Sequence, residues 1–197
     1  MKEKNNNENN DNDVSKTLDS ANSLPEPINK QQQQQQQLYY QNKLLTVKNF
    51  NDVFELVKSS VDAKFKMHRA GLSLVLQVLP TQLGAYHILG SNMIIMNKRI
   101  LDIIKSKKSL LEYNAYLFMV LCHEYLHSFG IIDENKVRKM TLDLCYSLLG
   151  KEHPASLMAQ HQPWKIFPEL QLYHSNTIEK TYEIIKNFDR SSHSYIN

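Results

Sequence analysis

The chain has 197 residues, of which 42% are hydrophobic, and a formal net charge of +3. This is enough apolar content for the core of one domain. The mild charge includes no dense Lys/Arg cluster, so nucleic acid is not an expected partner. No run approaches the roughly 18 apolar residues of a membrane helix, and no apolar signal segment follows Met1. We therefore expect no membrane partner and a cytoplasmic location, where Cys122 and Cys145 would be buried thiols.

The first forty residues differ in composition from the rest. They are rich in Asn, Asp and Glu and end in a run of glutamines, Gln31–Gln37. Such a segment cannot bury enough apolar surface to offset the entropy lost on ordering. The composition predicts a disordered tail over residues 1–40 and a folded domain over 41–197. The alternative that the glutamine run extends a helix into residues 38–40 stays open.

The next part of the chain predicts a helix followed by a small sheet. Apolar residues recur at three and four over residues 50–65, which is typical of an amphipathic helix. Short apolar runs at 72–79, 83–89 and 93–96 predict three strands, the last two joined by a turn at 90–92. A short helix is expected over 97–106. This order indicates an α/β (α+β) domain with a small, mixed, twisted sheet.

A long apolar helix is predicted next. Ser109 and Glu112 have the spacing of a capping box, which marks the start of a buried helix over 110–129. Another helix is expected from about 137 to 149, ending at Gly150. A small C-terminal part would then comprise an irregular loop with three prolines and a last helix over 177–187.

The end of the buried helix carries the pattern HExxHxxGxxD. His123 and His127 are four residues apart, so both imidazoles lie on one face of the helix and can bind one ion. Glu124 lies at the flank of that face, where a carboxylate can act as a general base on a metal-bound water. Asp133 would point away if the helix continued. A break at Gly130, which takes left-handed conformations freely, brings Asp133 back toward the ion.

The sequence HEYLHSFGIID at residues 123–133 resembles the zinc-binding signature of the zincin metallopeptidases, in the metzincin spacing. An aspartate stands where most metzincins have a third histidine, as in snapalysin-like proteases and minimal zincins. The resemblance implies one Zn²⁺ per chain, with His123, His127 and Asp133 as ligands and Glu124 as the general base. It also implies a zincin-like fold and hydrolysis of peptide bonds in a peptide or protein substrate, more in the manner of an endopeptidase than an exopeptidase.

The same resemblance assigns roles to residues outside the motif. Residues 155–158, Ala-Ser-Leu-Met, resemble the Met-turn that underlies the zinc ion in metzincins. The stretch 85–88 would be the edge strand that pairs with an extended substrate. Apart from the resemblance, Glu134 is expected to cap the helix after the motif rather than bind zinc, since one residue beyond Asp133 its carboxylate would lie on another side of the loop. His153 and His161 fall in the loop that forms the pocket wall, with His161 a candidate for stabilising an oxyanion.

Two other functions remain open on the sequence. One is a metal-dependent endoribonuclease resembling the YbeY type, which lacks a glutamate after the first histidine, whereas Glu124 is present here. The other is a non-catalytic, zinc-stabilised interaction module. Closed structural zinc sites favour Cys-rich ligand sets, whereas two histidines and an aspartate leave one coordination position open. Both observations favour the peptidase. The sequence leaves the oligomeric state open.

Overall fold

The computed structural model describes Met1 and residues 30–191, and this part is an α+β domain as predicted. The elements, in chain order, are α1 (Lys30–Thr46), α2 (Phe50–Phe65), β1 (Ser73–Gln77), β2 (Ala85–His87), β3 (Met93–Asn97), α3 (Lys98–Lys107), α4 (Leu110–Ser128), α5 (Glu134–Leu149), α6 (Pro154–His161), α7 (Pro163–Ile166), α8 (Glu169–Leu172) and β4 (Tyr182–Ile185).

The strands form one mixed sheet in the order β2-β3-β1-β4. β1 and β3 are parallel, while β2 is antiparallel to β3 and β4 is antiparallel to β1. The three strands expected before the helix of the HExxH motif are therefore confirmed, as is the turn between β2 and β3. β2 lies at the edge of the sheet, as expected for the stretch 85–88, while its pairing with a substrate stays a prediction.

Helix α4 is the centre of the domain. It begins with the predicted capping box, in which Ser109 and Glu112 bond to each other's backbone N–H groups. Most of its side chains are buried, because α2, α5, α6 and the sheet all pack around it. Cys122 in α4 and Cys145 in α5 are buried free thiols, as expected. Within residues 30–191, no helix has the length and apolar character needed to span a membrane.

The glutamine run is helical, so the disorder expected up to residue 40 is wrong for residues 30–40. The expected boundary between residues 40 and 41 lies inside α1, and the expectation for residues 2–29 falls outside the described residues. The Gln37 side chain donates to the carbonyls of Tyr146 and Ser147, at 3.3 and 3.4 Å, and Gln41 donates to that of Leu149 at 2.7 Å. These carbonyls lie in the last turn of α5, where intrahelical donors run out; that of Tyr146 also accepts the N–H of Gly150. The helix is thus held by its neighbour.

The C-terminal part also differs from the expectation. The stretch 177–187 contains strand β4 and no helix. Tyr182, Ile184 and Ile185 are residue types that favour strands, and the free edge of β1 supplies a pairing partner. The loop expected after Gly150 contains three short helices, of which α6 starts at Pro154, a residue suited to the first helical position.

Candidate metal centre

Helix α4 ends as the motif predicts. Gly130 has a φ of +83°, the left-handed region, and its N–H donates to the His127 carbonyl at 2.9 Å. A side chain in this conformation would be strained, so glycine is suited to the position. The chain reverses here, and α5 begins four residues later at Glu134. The first turn of α5 therefore faces the two histidines at the end of α4.

Three side chains converge at this reversal. The Nε2 atoms of His123 and His127 are 3.2 Å apart. Oε2 of Glu134 is 3.4 Å from His123 Nε2 and 3.1 Å from His127 Nε2. These residues form a group that could hold a metal ion.

Asp133, expected as the third ligand, has a different position in the structure. Its carboxylate accepts the backbone N–H groups of Asn135 and Lys136, at 2.9 and 3.2 Å, and so caps α5. Glu134, expected to be the cap, is the carboxylate beside the histidines. The two residues have exchanged the roles assigned from the sequence. The reason is the start of α5, which comes three residues earlier than Val137, where the apolar pattern begins.

Neighbouring groups orient these side chains. His127 Nδ1 lies 2.7 Å from the Ile131 carbonyl, and a proton donated there leaves Nε2 with its lone pair toward the centre of the group. Burial lowers the pKa of His123 despite the opposing charge of Glu134, which favours the neutral imidazole that binds metals. Burial would raise the pKa of Glu134, but the hydrogen bond and the positive charge of Arg138 oppose it, and that pKa is lowered.

Glu124 lies beside the group and is 5% exposed. The backbone of His87, in edge strand β2, lies close enough to this carboxylate to lower its pKa. The Oε2 atom of Glu124 is buried without a hydrogen-bond partner. Burial, with the charge of Glu134, raises the pKa of Glu124 to about 8, against the effect of the His87 backbone. A buried, unpartnered carboxylate oxygen next to a possible metal site is placed to exchange a proton with a bound molecule.

The group opens into a cleft of about 450 Å³. One face of α4 forms its floor, because residues three and four apart lie on the same side of a helix. β2 and the chain before it form one wall, and α5, α6 and α7 form the other. The floor residues are Tyr116, Met119, Val120, His123, Glu124 and His127.

A double contact holds the end of α4 against the sheet. The Arg69 guanidinium donates to the carbonyl of Ser128, the last residue of α4, and to the carbonyl of Ser91 between β2 and β3, at 3.0 Å for the latter. The Tyr125 hydroxyl, from α4, donates to the Arg69 carbonyl at 2.9 Å. These bonds fix the distance between the histidine pair and the edge strand.

The remaining candidates from the sequence occupy supporting positions. His153 is the N-cap of α6 and is 8% exposed, while His161 is in the exposed last turn of that helix. Neither belongs to the group found among the described residues. Met158 is buried and lines the cleft, but it lies within helix α6, so the expected Met-turn is not a turn.

Sequence reasoning missed three residues of the site: Glu134 as a possible ligand, and Tyr116 and Arg138 in the cleft. The spacing of Tyr116 to His123, two helical turns, could have shown that they share a face. The i,i+4 spacing of Glu134 and Arg138 could likewise have indicated a pair.

Comparison of the chain with models of known protein families, with curated proteins and with solved structures finds no match. The resemblance to the zincin signature therefore rests on the sequence motifs alone.

Proposed function

We propose that this protein is a zinc-dependent peptidase, with one Zn²⁺ per chain bound by His123, His127 and Glu134 and with Glu124 as the general base. The observation that carries the proposal is the size of the triangle formed by the three ligand atoms. Tetrahedral ligands at zinc distances of roughly 2.0–2.1 Å are separated by roughly 3.3–3.4 Å from one another. The observed separations are 3.2, 3.4 and 3.1 Å.

The donor set also fits a catalytic ion better than a structural one. Two imidazoles and one carboxylate are a known ligand combination of catalytic zinc, and they leave a fourth position for water or substrate. Closed structural sites favour thiolates, and both cysteines are buried elsewhere as free thiols. When bound, the ion would supply Lewis acidity that makes water more acidic and polarises a carbonyl.

The chain's own residues would carry out the proton transfers. Glu124 would accept a proton from the attacking water through Oε2 and donate it to the amine nitrogen that leaves when the peptide bond breaks. The backbone of His87 in the edge strand lies beside this carboxylate and acts on its pKa. An extended substrate would lie along β2, the edge strand at the cleft.

The substitution Glu124→Gln tests the general base. The amide keeps the shape of the side chain but cannot accept the proton, so zinc content should stay at one per chain while turnover falls by at least about a hundredfold. Zinc is measured by elemental analysis and turnover on a library of proteome-derived peptides. Glu152→Gln, at an exposed position outside the cleft lining, is the matched control.

Two outcomes would contradict the proposal. A zinc-loaded wild-type protein that cleaves no peptide in the library excludes peptidase activity. If Glu124→Gln instead loses zinc as completely as a variant of His123, then Glu124 is a ligand and the assignment of the base is wrong.

A further inference from the structure

Arg138 lies in the wall of the cleft, one helical turn after Glu134 in α5. Its Nε–H donates to Oε1 of Glu134 at 2.7 Å, while Oε2 of the same carboxylate faces the two histidines. The arginine side chain is 50% exposed. Glu134 therefore fixes the guanidinium beside the possible metal position and leaves it open to the cleft.

The rest of this guanidinium has no partner in the part of the chain that the structure describes. Its Nε–H is used, but its two terminal NH₂ groups donate no hydrogen bond within residues 30–191. A planar pair of such groups matches the two oxygens of a carboxylate. An arginine already held at one side also loses less side-chain entropy when it binds a ligand.

The charges around the cleft favour an anionic ligand at this point. Among the described residues that line it, Arg138 is the only Lys or Arg. With a divalent ion bound, the carboxylates of Glu124 and Glu134 would match the ion's two charges. The charge of Arg138 would then be unmatched, in a cleft whose other lining residues are uncharged or histidine.

We propose that Arg138 is a specificity-determining residue that binds a carboxylate of the peptide substrate, next to the bond that is cleaved. The inference rests on the proposed peptidase function and names the class of its substrate: peptides with an acidic side chain or a free chain terminus at that position. A single Lys or Arg in the described lining of the cleft suits a peptide, since nucleic acids are bound through several phosphate contacts.

The test measures binding rather than turnover, with the zinc-loaded full-length protein. Two pairs of short apolar peptides carrying a zinc-binding hydroxamate are titrated by calorimetry. In one pair the chain ends in a carboxylate or an amide; in the other a glutamate replaces a glutamine. The wild-type protein should bind the charged member of at least one pair about tenfold more tightly, the size expected for a charge-assisted hydrogen bond. The pair that shows the preference identifies the source of the carboxylate.

Variants of Arg138 distinguish binding of the peptide carboxylate from positioning of Glu134. Arg138→Gln should lose the preference for the charged peptide, and Arg138→Lys should retain part of it. Lys139→Gln removes the same charge from the neighbouring exposed position, outside the cleft lining, and should keep the preference in full. Zinc content of each variant is measured in parallel.

Four results would overturn the inference. Equal affinity for both members of both pairs in the wild type removes the anion site and leaves the peptidase proposal intact. Loss of affinity for charged and neutral peptides alike in Arg138→Gln would show that Arg138 acts only by positioning Glu134. Arg138-dependent binding of a single-stranded RNA oligonucleotide without any carboxylate preference would assign the residue to phosphate. Failure of all four peptides to bind would reject the peptidase proposal and this inference together.

Discussion

The exchange of roles between Asp133 and Glu134 shows that the position of a helix start decides which residue caps the helix and which lies beside the histidines. The HExxHxxGxxD spacing favours Asp133, because its position after Gly130 suits the third ligand of the motif. Aspartate is also a preferred N-cap, and in the structure that preference determines its position. With Asp133 as the cap, Glu134 becomes the first helical residue, and its longer side chain reaches the histidines. The sequence contains both options, and the packing of α5 against α4 selects one.

The two acidic residues should have separable effects. Glu134→Ala should weaken zinc binding by at least about a hundredfold, since loss of groups that merely support ligands already costs about 10–100-fold. Asp133→Ala should instead reduce the free energy of unfolding by about 1 kcal/mol through loss of the helix cap, with one zinc retained. Zinc affinity is measured by competition with a chelator, and stability by urea unfolding of the metal-free protein.

Asp133→Ser is the matched control, because serine can also cap a helix. It should restore most of the stability lost in Asp133→Ala. A large loss of zinc affinity in both Asp133 variants, with Glu134→Ala unaffected, would return Asp133 to the ligand set.

At the scale of elements, the sequence predicted the helices and strands that are marked by their own residues, through apolar spacing on a buried face or through caps and turns. Helices α2 to α5 and strands β1 to β3 all follow patterns of apolar spacing, caps and turns. α1 and β4 depend on distant partners instead. Helix α1 has few apolar residues and donates hydrogen bonds to the C-terminal carbonyls of α5. Strand β4 pairs with the free edge of β1. Such partners are not visible in a local pattern.

The contacts of α1 give a prediction at this scale. The double variant Gln37→Ala/Gln41→Ala should lower the free energy of unfolding by about 1–3 kcal/mol, since it removes both side chains that donate to the end of α5. Gln33→Ala/Gln34→Ala, at exposed positions of the same helix, changes helix propensity by the same amount and should leave stability within about 0.5 kcal/mol. Equal effects of the two double variants would show that the docking bonds contribute nothing.

At the scale of the molecule, the part of the chain after β4 contacts helix α4 through the core. Phe188 stacks on Phe54 of α2, with ring centroids 4.2 Å apart, and Phe54 meets Tyr125 of α4 edge to face at 5.3 Å. Tyr125 lies two residues after His123. A continuous row of rings therefore connects residues after β4 with the helix that carries the histidine pair.

Asp189, one residue after Phe188, forms a buried ion pair with Lys58 of α2. One carboxylate oxygen accepts from Lys58 in α2 at 2.6 Å, and the other accepts the N–H groups of Gly71 and Leu72, just before β1, at 2.8 and 3.2 Å. Lys58 and Asp189 are 3% and 2% exposed. Glu55, at 2.9 Å, also contacts Lys58. Three distant segments thus meet at one carboxylate.

The substitution Asp189→Asn should be strongly destabilising. The amide oxygen can serve either Lys58 or the backbone N–H groups but not both sides as a carboxylate does, and it leaves a buried lysine charge paired only with Glu55. We expect a loss of about 3 kcal/mol in the free energy of unfolding. Asp143→Asn removes the partner of Lys64 in an ion pair whose aspartate is 64% exposed, and it should cost less than about 1 kcal/mol.

The same carboxylate should make stability fall in acid. Burial would raise the pKa of Asp189, but hydrogen bonds from Lys58, Ser191 and Leu72 outweigh it, and the folded-state pKa is lowered. A carboxylate with a lowered folded-state pKa stabilises the native state above its unfolded pKa of about 3.9, and this contribution is lost as the pH falls through the folded value. The free energies of unfolding of the wild type and Asp189→Asn, measured in urea, should therefore differ by a constant amount between pH 5 and 7. The difference should shrink as the pH falls below about 4. A difference that persists undiminished at the acid end would mean that the carboxylate acts through packing rather than charge, because protonation would then leave its contribution unchanged.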